Sequence, residues 1–286
     1  MEKSKSLYSQ AFDKILKDKV SAASLFIVVL YTVIALLVTF GVLGADWSET
    51  VGVANQAPGK DFILGTDFLG RSVFKKVIYG IQVAMSVGFI SILISIPIGV
   101  TLGALAGYFG GFIDEVIVWF YTTFSSIPTI ILLISITLIL GKGLTSVYVA
   151  LGLTTWVHLC RLVRGEVIKH KNRDYVQAVT AVGGGHYRKL FIHILPNIFH
   201  VVIINASLQF QVAIKTEVIL SYLGLGVQEV PSWGKMIDDA KQELMQGHWW
   251  QLAGATVAMF LVVLSFNILG DALRDALDPK LKGKDA

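Results

Sequence analysis

Six stretches of this chain carry no Asp, Glu, Lys or Arg for long enough to cross a bilayer, and no other feature constrains the fold as much. They are 21–45, 77–113, 116–141, 143–160, 190–214 and 244–270. A spanning helix needs about 20 apolar residues. The fourth stretch is marginal and ends near His158. The second is too long for one straight span, so its helix is expected at about 82–108, with its head in a surface segment. Membrane β-strands alternate in and out and need only about ten residues each, so a barrel is not indicated. The expected fold is all-α and integral to the membrane. With 54% hydrophobic and only 15% charged residues, a water-soluble domain could not cover its apolar surface.

The first apolar run exceeds the usual core of a signal peptide, about 7–15 residues, and no small-residue cleavage pattern follows. It reads as a retained anchor. Before it, Leu7, Tyr8, Ala11, Phe12, Ile15 and Leu16 form an apolar stripe at helical spacing, flanked by Lys14, Lys17 and Lys19. An interfacial helix and a frayed basic tail both remain open.

Lys and Arg set the orientation. Five lysines precede the first span, and Arg274, Lys280, Lys282 and Lys284 follow the last. Arg161, Arg164, Lys169, Lys171, Arg173, Arg188 and Lys189 lie between spans four and five. An even number of spans puts all three groups on one side, which is expected to be the cytoplasm. Asp114 and Glu115 sit on that side without a base, but acids count for little in the rule. The bases cluster where cytoplasmic loops would have them, so the formal charge of +4 does not imply nucleic acid. The single cysteine, Cys160, excludes an internal disulfide and reads as a buried thiol.

The basic loop at 161–197 is punctuated by glycine. Asp174 is expected to cap a short helix, with Gln177 at the reciprocal position of a capping box, and Gly183 to end it in the left-handed conformation. Small Ala178 and Ala181 would permit close docking of a partner. Several other strings point less far. Gly65-Thr-Asp-Phe-Leu-Gly70-Arg71-Ser72 resembles a phosphate loop, but has Arg where Lys is needed and follows no buried strand. His186, His193 and His200 recur every seven residues, but Pro196 interrupts them and no carboxylate joins them, so a metal site is not indicated. No nucleophile–base pair is visible, and no cofactor is expected on this chain.

Gly99, Gly103 and Gly107 make two overlapping G-x-x-x-G steps, for close helix packing or, alternatively, for lining a route. Lys215, Glu217 and Ser221 lie at the end of the fifth span, at a wet pathway or at the outer interface. Lys215 and Glu217 are two apart and do not share a helix face.

The loop resembles that of binding-protein-dependent ABC import permeases, whose pattern is E-A-A, three residues, G, nine residues, then I-x-L-P. Gln177-Ala178-Val179 stand at the first positions, Gly183 at the glycine, and His193-Ile194-Leu195-Pro196 at the end. Ile63-Leu-Gly-Thr-Asp67, Gly70-Arg-Ser-Val-Phe74, Ser221-Tyr-Leu-Gly-Leu-Gly226, Pro231-Ser-Trp-Gly234 and the run from Phe266 to Pro279 are similar to the dipeptide/oligopeptide/nickel permease family, in its shorter, C-type subunit. The chain departs from the pattern at Gln177 and Val179, and at Trp119 and Thr122, where relatives often carry Arg and Asp.

The resemblance implies a bacterial inner-membrane subunit of the type I ABC importer permease fold, with six transmembrane helices and both termini cytoplasmic. It implies an N-terminal segment at 1–21, a first helix at 22–45, an outer segment at 46–81, a five-helix core at 82–273 with the coupling loop at 166–197, and a tail at 274–286. It also implies a second permease subunit, two cytoplasmic ATPases that hold ATP and Mg, and an extracytoplasmic binding protein. Asp174, Gln177, Ala178, Ala181, Gly183, Leu195 and Pro196 would then couple to an ATPase. The implied cargo is short peptides, with nickel or a nickel chelate as the alternative. A secondary transporter would leave the short loop helix unexplained, and a membrane enzyme would need a reactive cluster that is not found.

Overall fold

The computed structural model describes residues 7–277, with side chains for 12–276. Its regular elements are all helical: α1 (Leu7–Lys17), α2 (Lys19–Thr39), α3 (Val73–Phe109), α4 (Gly111–Ser125), α5 (Thr129–Leu140), α6 (Leu144–His170), α7 (Asp174–Ala181), a π-helical segment (Arg188–Ile194), α8 (Leu195–Tyr222), α9 (Trp233–Met245) and α10 (Trp250–Leu277). Asp18 divides α1 from α2. It is extended, and its carboxylate accepts from the Ser21 backbone N at 2.9 Å and the Ser21 hydroxyl at 2.6 Å, which caps α2. The N-terminal stripe forms a helix that packs beside α10 and α2, with Ile15 buried. The side chains of Leu7, Tyr8 and Ala11, and all of Lys280, Lys282 and Lys284, lie outside the described residues.

Among the described residues, five segments are long and apolar enough to cross a bilayer: α2, α3, α6, Arg188–Tyr222 and α10. The stretch expected as one third span is instead two helices, α4 and α5, bent by 86°. The break falls at Ser126, Ile127 and Pro128. Proline has no N–H to return to the preceding turn, and it disfavours helical backbone at Ile127. Pro128 is extended at ψ 124°. Counting the pair as one span gives six in all.

Two helix bounds also differ from expectation. α3 starts at Val73, not near residue 82, because Ser72 caps it and accepts from the Lys75 N–H. Its first turns are not a surface segment: Val77, Gly80 and Ile81 are buried. α6 runs past Cys160 to His170, so Arg161 and Arg164 are helical and not in a loop. Arg164 makes a two-pronged contact with Asp114 on α4, at 2.5 and 2.6 Å.

α3 is the central post, packed against α6, α8 and α2. Gly99, Gly103 and Gly107 face α6. A Cβ on these three would meet carbonyl oxygens of Trp156 at 2.9 Å, Cys160 at 2.5 Å and Arg164 at 2.6 Å. The two backbones therefore approach more closely than any side-chain-bearing residue allows. Cys160 is fully buried in that contact.

The segment between α2 and α3 folds over one end of the bundle. Two isolated antiparallel bridges, Thr50 with Arg71 and Thr66 with Ser72, fold it back on itself. The glycine-flanked string here forms a closed turn around Asp67, which is fully buried. One carboxylate oxygen accepts from the Leu69 and Arg71 backbone N–H groups at 2.9 Å, and the other from Arg71 Nε at 2.8 Å and Lys76 Nζ at 2.9 Å. Burial alone would raise this carboxyl, but Lys76 and Arg71 hold it below its ordinary range.

Candidate functional site

Two features along α6 and α8 are candidates: the short helix α7, and a cavity at the break between α4 and α5. α7 is eight residues long, so packing must hold it more than propensity does. Val176 is its one buried side chain, set in a cluster with Val163, Val167, Leu190, Ile194 and Ile198. Tyr175 OH and His170 Nδ1 lie 2.9 Å apart and tie the helix back to the end of α6. Asp174, Gln177, Ala178 and Ala181 are exposed. Their spacing of three and four residues puts them along one face.

The caps differ from expectation at one end only. The N-cap is Arg173, extended at ψ 151°, and it makes no side-chain cap bond. Asp174 is the first helical residue, so the expected capping box with Gln177 does not form. As the first-turn acid, Asp174 still faces the positive end of the helix dipole. At the other end Gly183 has φ +78°. Its N–H donates to Thr180 O at 3.0 Å, and the Gly184 N–H to Val179 O at 2.8 Å, the paired bonds of a Schellman turn.

After the turn the chain forms the π-helical segment, with Leu190 and Ile194 buried. Leu195 is half-buried against the same cluster, while Pro196 is exposed where the π-helical segment passes into α8. The three spaced histidines do separate jobs. His186 Nδ1 meets Tyr108 OH at 2.9 Å at the end of α3, His200 Nδ1 lies 3.1 Å from Asn197 O, and His193 Nε2 is buried without a partner.

At the far end of α8, Lys215 is exposed and Glu217 is only 1% exposed. Glu217 was expected at a wet pathway or at the outer interface. Instead its carboxylate accepts from Ser221 Oγ at 2.6 Å, and Ser221 Oγ accepts from the Val227 N–H at 2.9 Å. Helix α9 closes over the spot. A Cβ on Gly234 would lie 2.4 Å from Val218 O and 2.7 Å from Ser221 Cβ, so the two helices leave no room for a pathway there.

The cavity lies elsewhere. It holds about 460 Å³ between the α4–α5 break, α6 and α8, and its polar lining includes Thr154, Thr155, His158, Arg161, Asn205 and Gln209. Gln209 is satisfied: it accepts from Ser95 Oγ at 3.1 Å and donates to Thr155 O at 2.9 Å. Asn205 is 3% exposed, and its Oδ1 has no partner among the described residues. None of these residues was singled out from the sequence as a site, although a signal was there. Thr154, His158 and Arg161 follow one helical face of α6, and Asn205 and Gln209 one face of α8, inside otherwise apolar stretches.

Comparison with known proteins places these features in a family. Residues 99–283 match the model described as "Binding-protein-dependent transport system inner membrane component". The chain is 36% identical to the dipeptide transport system permease protein DppC of Bacillus subtilis (strain 168), over 96% of this chain and 87% of that protein. It is 34% identical to the oligopeptide transport system permease protein OppC of the same organism, over 98% and 92%. It is also 34% identical to the glutathione transport system permease protein GsiD of Pectobacterium atrosepticum, over 80% and 76%. A chain of the MetNI methionine ABC transporter, in inward-facing conformations, shares the fold with a TM-score of 0.58 at 18% identity, covering 71% of this chain and 96% of that one.

Proposed function

The chain belongs to the binding-protein-dependent transport inner-membrane component family, and from that premise we propose that it is the permease subunit of an ATP-driven importer of short peptides. The carrying observation is α7. It is a stiff helix outside the long apolar segments, held by one buried residue and a glycine turn, with Gln177, Ala178 and Ala181 on an open face. Small side chains on such a face let another protein's groove close on the backbone. In this reading α7 docks into a cytoplasmic ATPase, and the basic residues around it support a position on the inner side of a bacterial inner membrane.

Because α7, Leu190 and Ile194 share one cluster with α3, α6 and α8, a push on α7 is delivered to three spans together. Two ATPases carrying ATP and Mg, a second permease subunit and an extracytoplasmic binding protein complete the machine. Closure of the ATPases switches access from one side to the other. Net movement requires the cargo to bind the two states unequally. Relatives named for dipeptide, oligopeptide and glutathione transport support a peptide cargo.

The test is reconstitution. The chain is co-expressed with its candidate permease, ATPase and binding-protein partners, purified and placed in vesicles. ATP-dependent uptake of short peptides is expected. Uptake without ATPases, or uptake of nickel and no peptide, would overturn the reading.

A further inference from the structure

We propose that the cavity at the α4–α5 break is a cargo-binding site that takes the free carboxylate of a peptide on Arg161 and a peptide N–H on Asn205. This rests on the peptide-import reading and goes further by naming the site and its chemistry. Depth comes first. At about 1.5 Å rise per residue, Thr154 lies about 15 Å along α6 from Leu144, and Asn205 about 15 Å along α8 from Leu195. A hydrocarbon core is about 30 Å thick, so these residues sit near its middle and Arg161 lies further along α6. Polar side chains at that depth carry a cost that a protein does not retain for packing alone.

The donors and acceptors are laid out for a zwitterionic chain. Arg161 opens onto the cavity, and its contacts within the chain are to neutral groups: Nη2 donates to Ser125 Oγ at 3.2 Å, and the guanidinium lies 4.8 Å from the Tyr121 ring centre. Its planar fork remains suited to a carboxylate. His158, one turn away on α6, also lines the cavity, where its ring can donate an N–H. Asn205 is the second contact. It is buried, it lines the cavity, and its Oδ1 has no partner among the described residues. An unpaired buried acceptor is costly, and a peptide N–H or ammonium in the cavity would satisfy it. Gln209, also in the lining, is locked by Ser95 and Thr155 and forms a fixed part of the wall. The volume of about 460 Å³ lies within the usual range for small-molecule sites, about 300–1,000 Å³.

The experiment uses the whole transporter in vesicles, with saturating binding protein loaded with short oligoalanine peptides. Arg161→Gln is expected to lower the uptake rate about ten-fold or more at matched assembly, and Arg161→Lys to recover most of it. Asn205→Leu is expected to lower it several-fold. In a second measurement, Thr155→Cys is labelled by a small thiol reagent during turnover. The peptide is expected to slow labelling in the otherwise native protein and not in the Arg161→Gln background. Unchanged uptake in Arg161→Gln and Asn205→Leu, with wild-type vesicles active, would overturn the site and leave the import reading standing. Loss of assembly in Arg161→Gln that Arg161→Lys restores would assign the guanidinium to a partner subunit's carboxylate, which also overturns it. No wild-type uptake of any oligoalanine would instead remove the peptide reading itself.

Discussion

Helices α7 and α9 lie at opposite ends of α8, and they are built on opposite plans. α9 is sealed into the subunit. Ser232 caps it by accepting from the Lys235 N–H, and Trp233, Gly234, Met236, Ala240 and Glu243 are all buried. Trp233 lies across Gly80, where a Cβ would come within 2.6 Å of its ring, and its Nε1 donates to Val77 O at 3.3 Å. Glu243 accepts from the Phe68 N–H at 3.0 Å, which fastens the Asp67 turn to the same helix. α7 has one buried residue and no side-chain N-cap. Two amphipathic helices flanking one span thus divide the labour. One finishes a subunit's own core, and the other is left for something else to cover.

The largest expected effect would break the sealed end. Trp233→Ala empties a site that is 1% exposed, and losses for such a change run about 3–5 kcal/mol. The purified protein should show a sharply lower unfolding midpoint and folded yield. A wild-type midpoint would mean that α9 is no more integrated than α7.

Next comes the Asp67 turn that α9 clasps. Asp67→Ala leaves Lys76 buried with its charge uncompensated, at a cost of about 3–5 kcal/mol at most. The pH dependence carries a sign. The folded pKa of Asp67 lies below its unfolded value, so its contribution is present above about pH 4 and is lost as pH falls through the lower folded value. Melting curves taken through the acid range should show wild type losing stability there, and Asp67→Asn losing less. Parallel curves would exclude this carboxylate as the origin.

The exposed end should respond more mildly in stability. Gly183→Val forces a β-branched residue to φ +78°, at about 1–2 kcal/mol. Folding and insertion should survive, while co-purification with the ATPases falls. Retained ATPase yield would show that α7 does not need this turn. The smallest change in stability is expected for Ala178→Arg. The site is exposed, so melting should move by under about 0.5 kcal/mol. ATPase docking should nevertheless be lost, because the added side chain holds the helix off its groove. A melting shift as large as that of Trp233→Ala would show that α7 is packed in the way α9 is.

Much of this contrast was legible beforehand, and the rest failed for reasons that can be named. The apolar stretches and the glycine at 183 were readable because both are local: a span needs length and hydropathy, and a left-handed residue needs no Cβ. The α4–α5 break was missed although Pro128 announced it, since counting charges does not register a backbone that cannot continue. The capping box failed by one residue, because the chain enters α7 from an extended Arg173 and Asp174 is already helical. Glu217 was left between a wet route and the outer interface, from its charge and position alone. Its bond to Ser221 is local, one turn along α8, but its burial comes from the loop before α9 and the close approach of Gly234, and packing between segments so far apart leaves no mark in the local pattern.

What the sequence determined by itself is the class of molecule: helical, membrane-spanning, with a basic loop holding a glycine-ended helix. These follow from how each short segment partitions between water and lipid and from which φ its residues tolerate. Tertiary structure alone decided which polar groups are satisfied inside the chain and which remain available. Asp67, Glu217 and Gln209 look as available in the sequence as Arg161 and Asn205 do, yet Gln209 finds its partners on α3 and α6, and Asp67 and Glu217, bonded to near neighbours in the chain, are buried by what packs over them. Desolvation and hydrogen-bond satisfaction depend on what arrives from elsewhere in the chain, and that is settled only when α3, α6, α8 and α9 are packed.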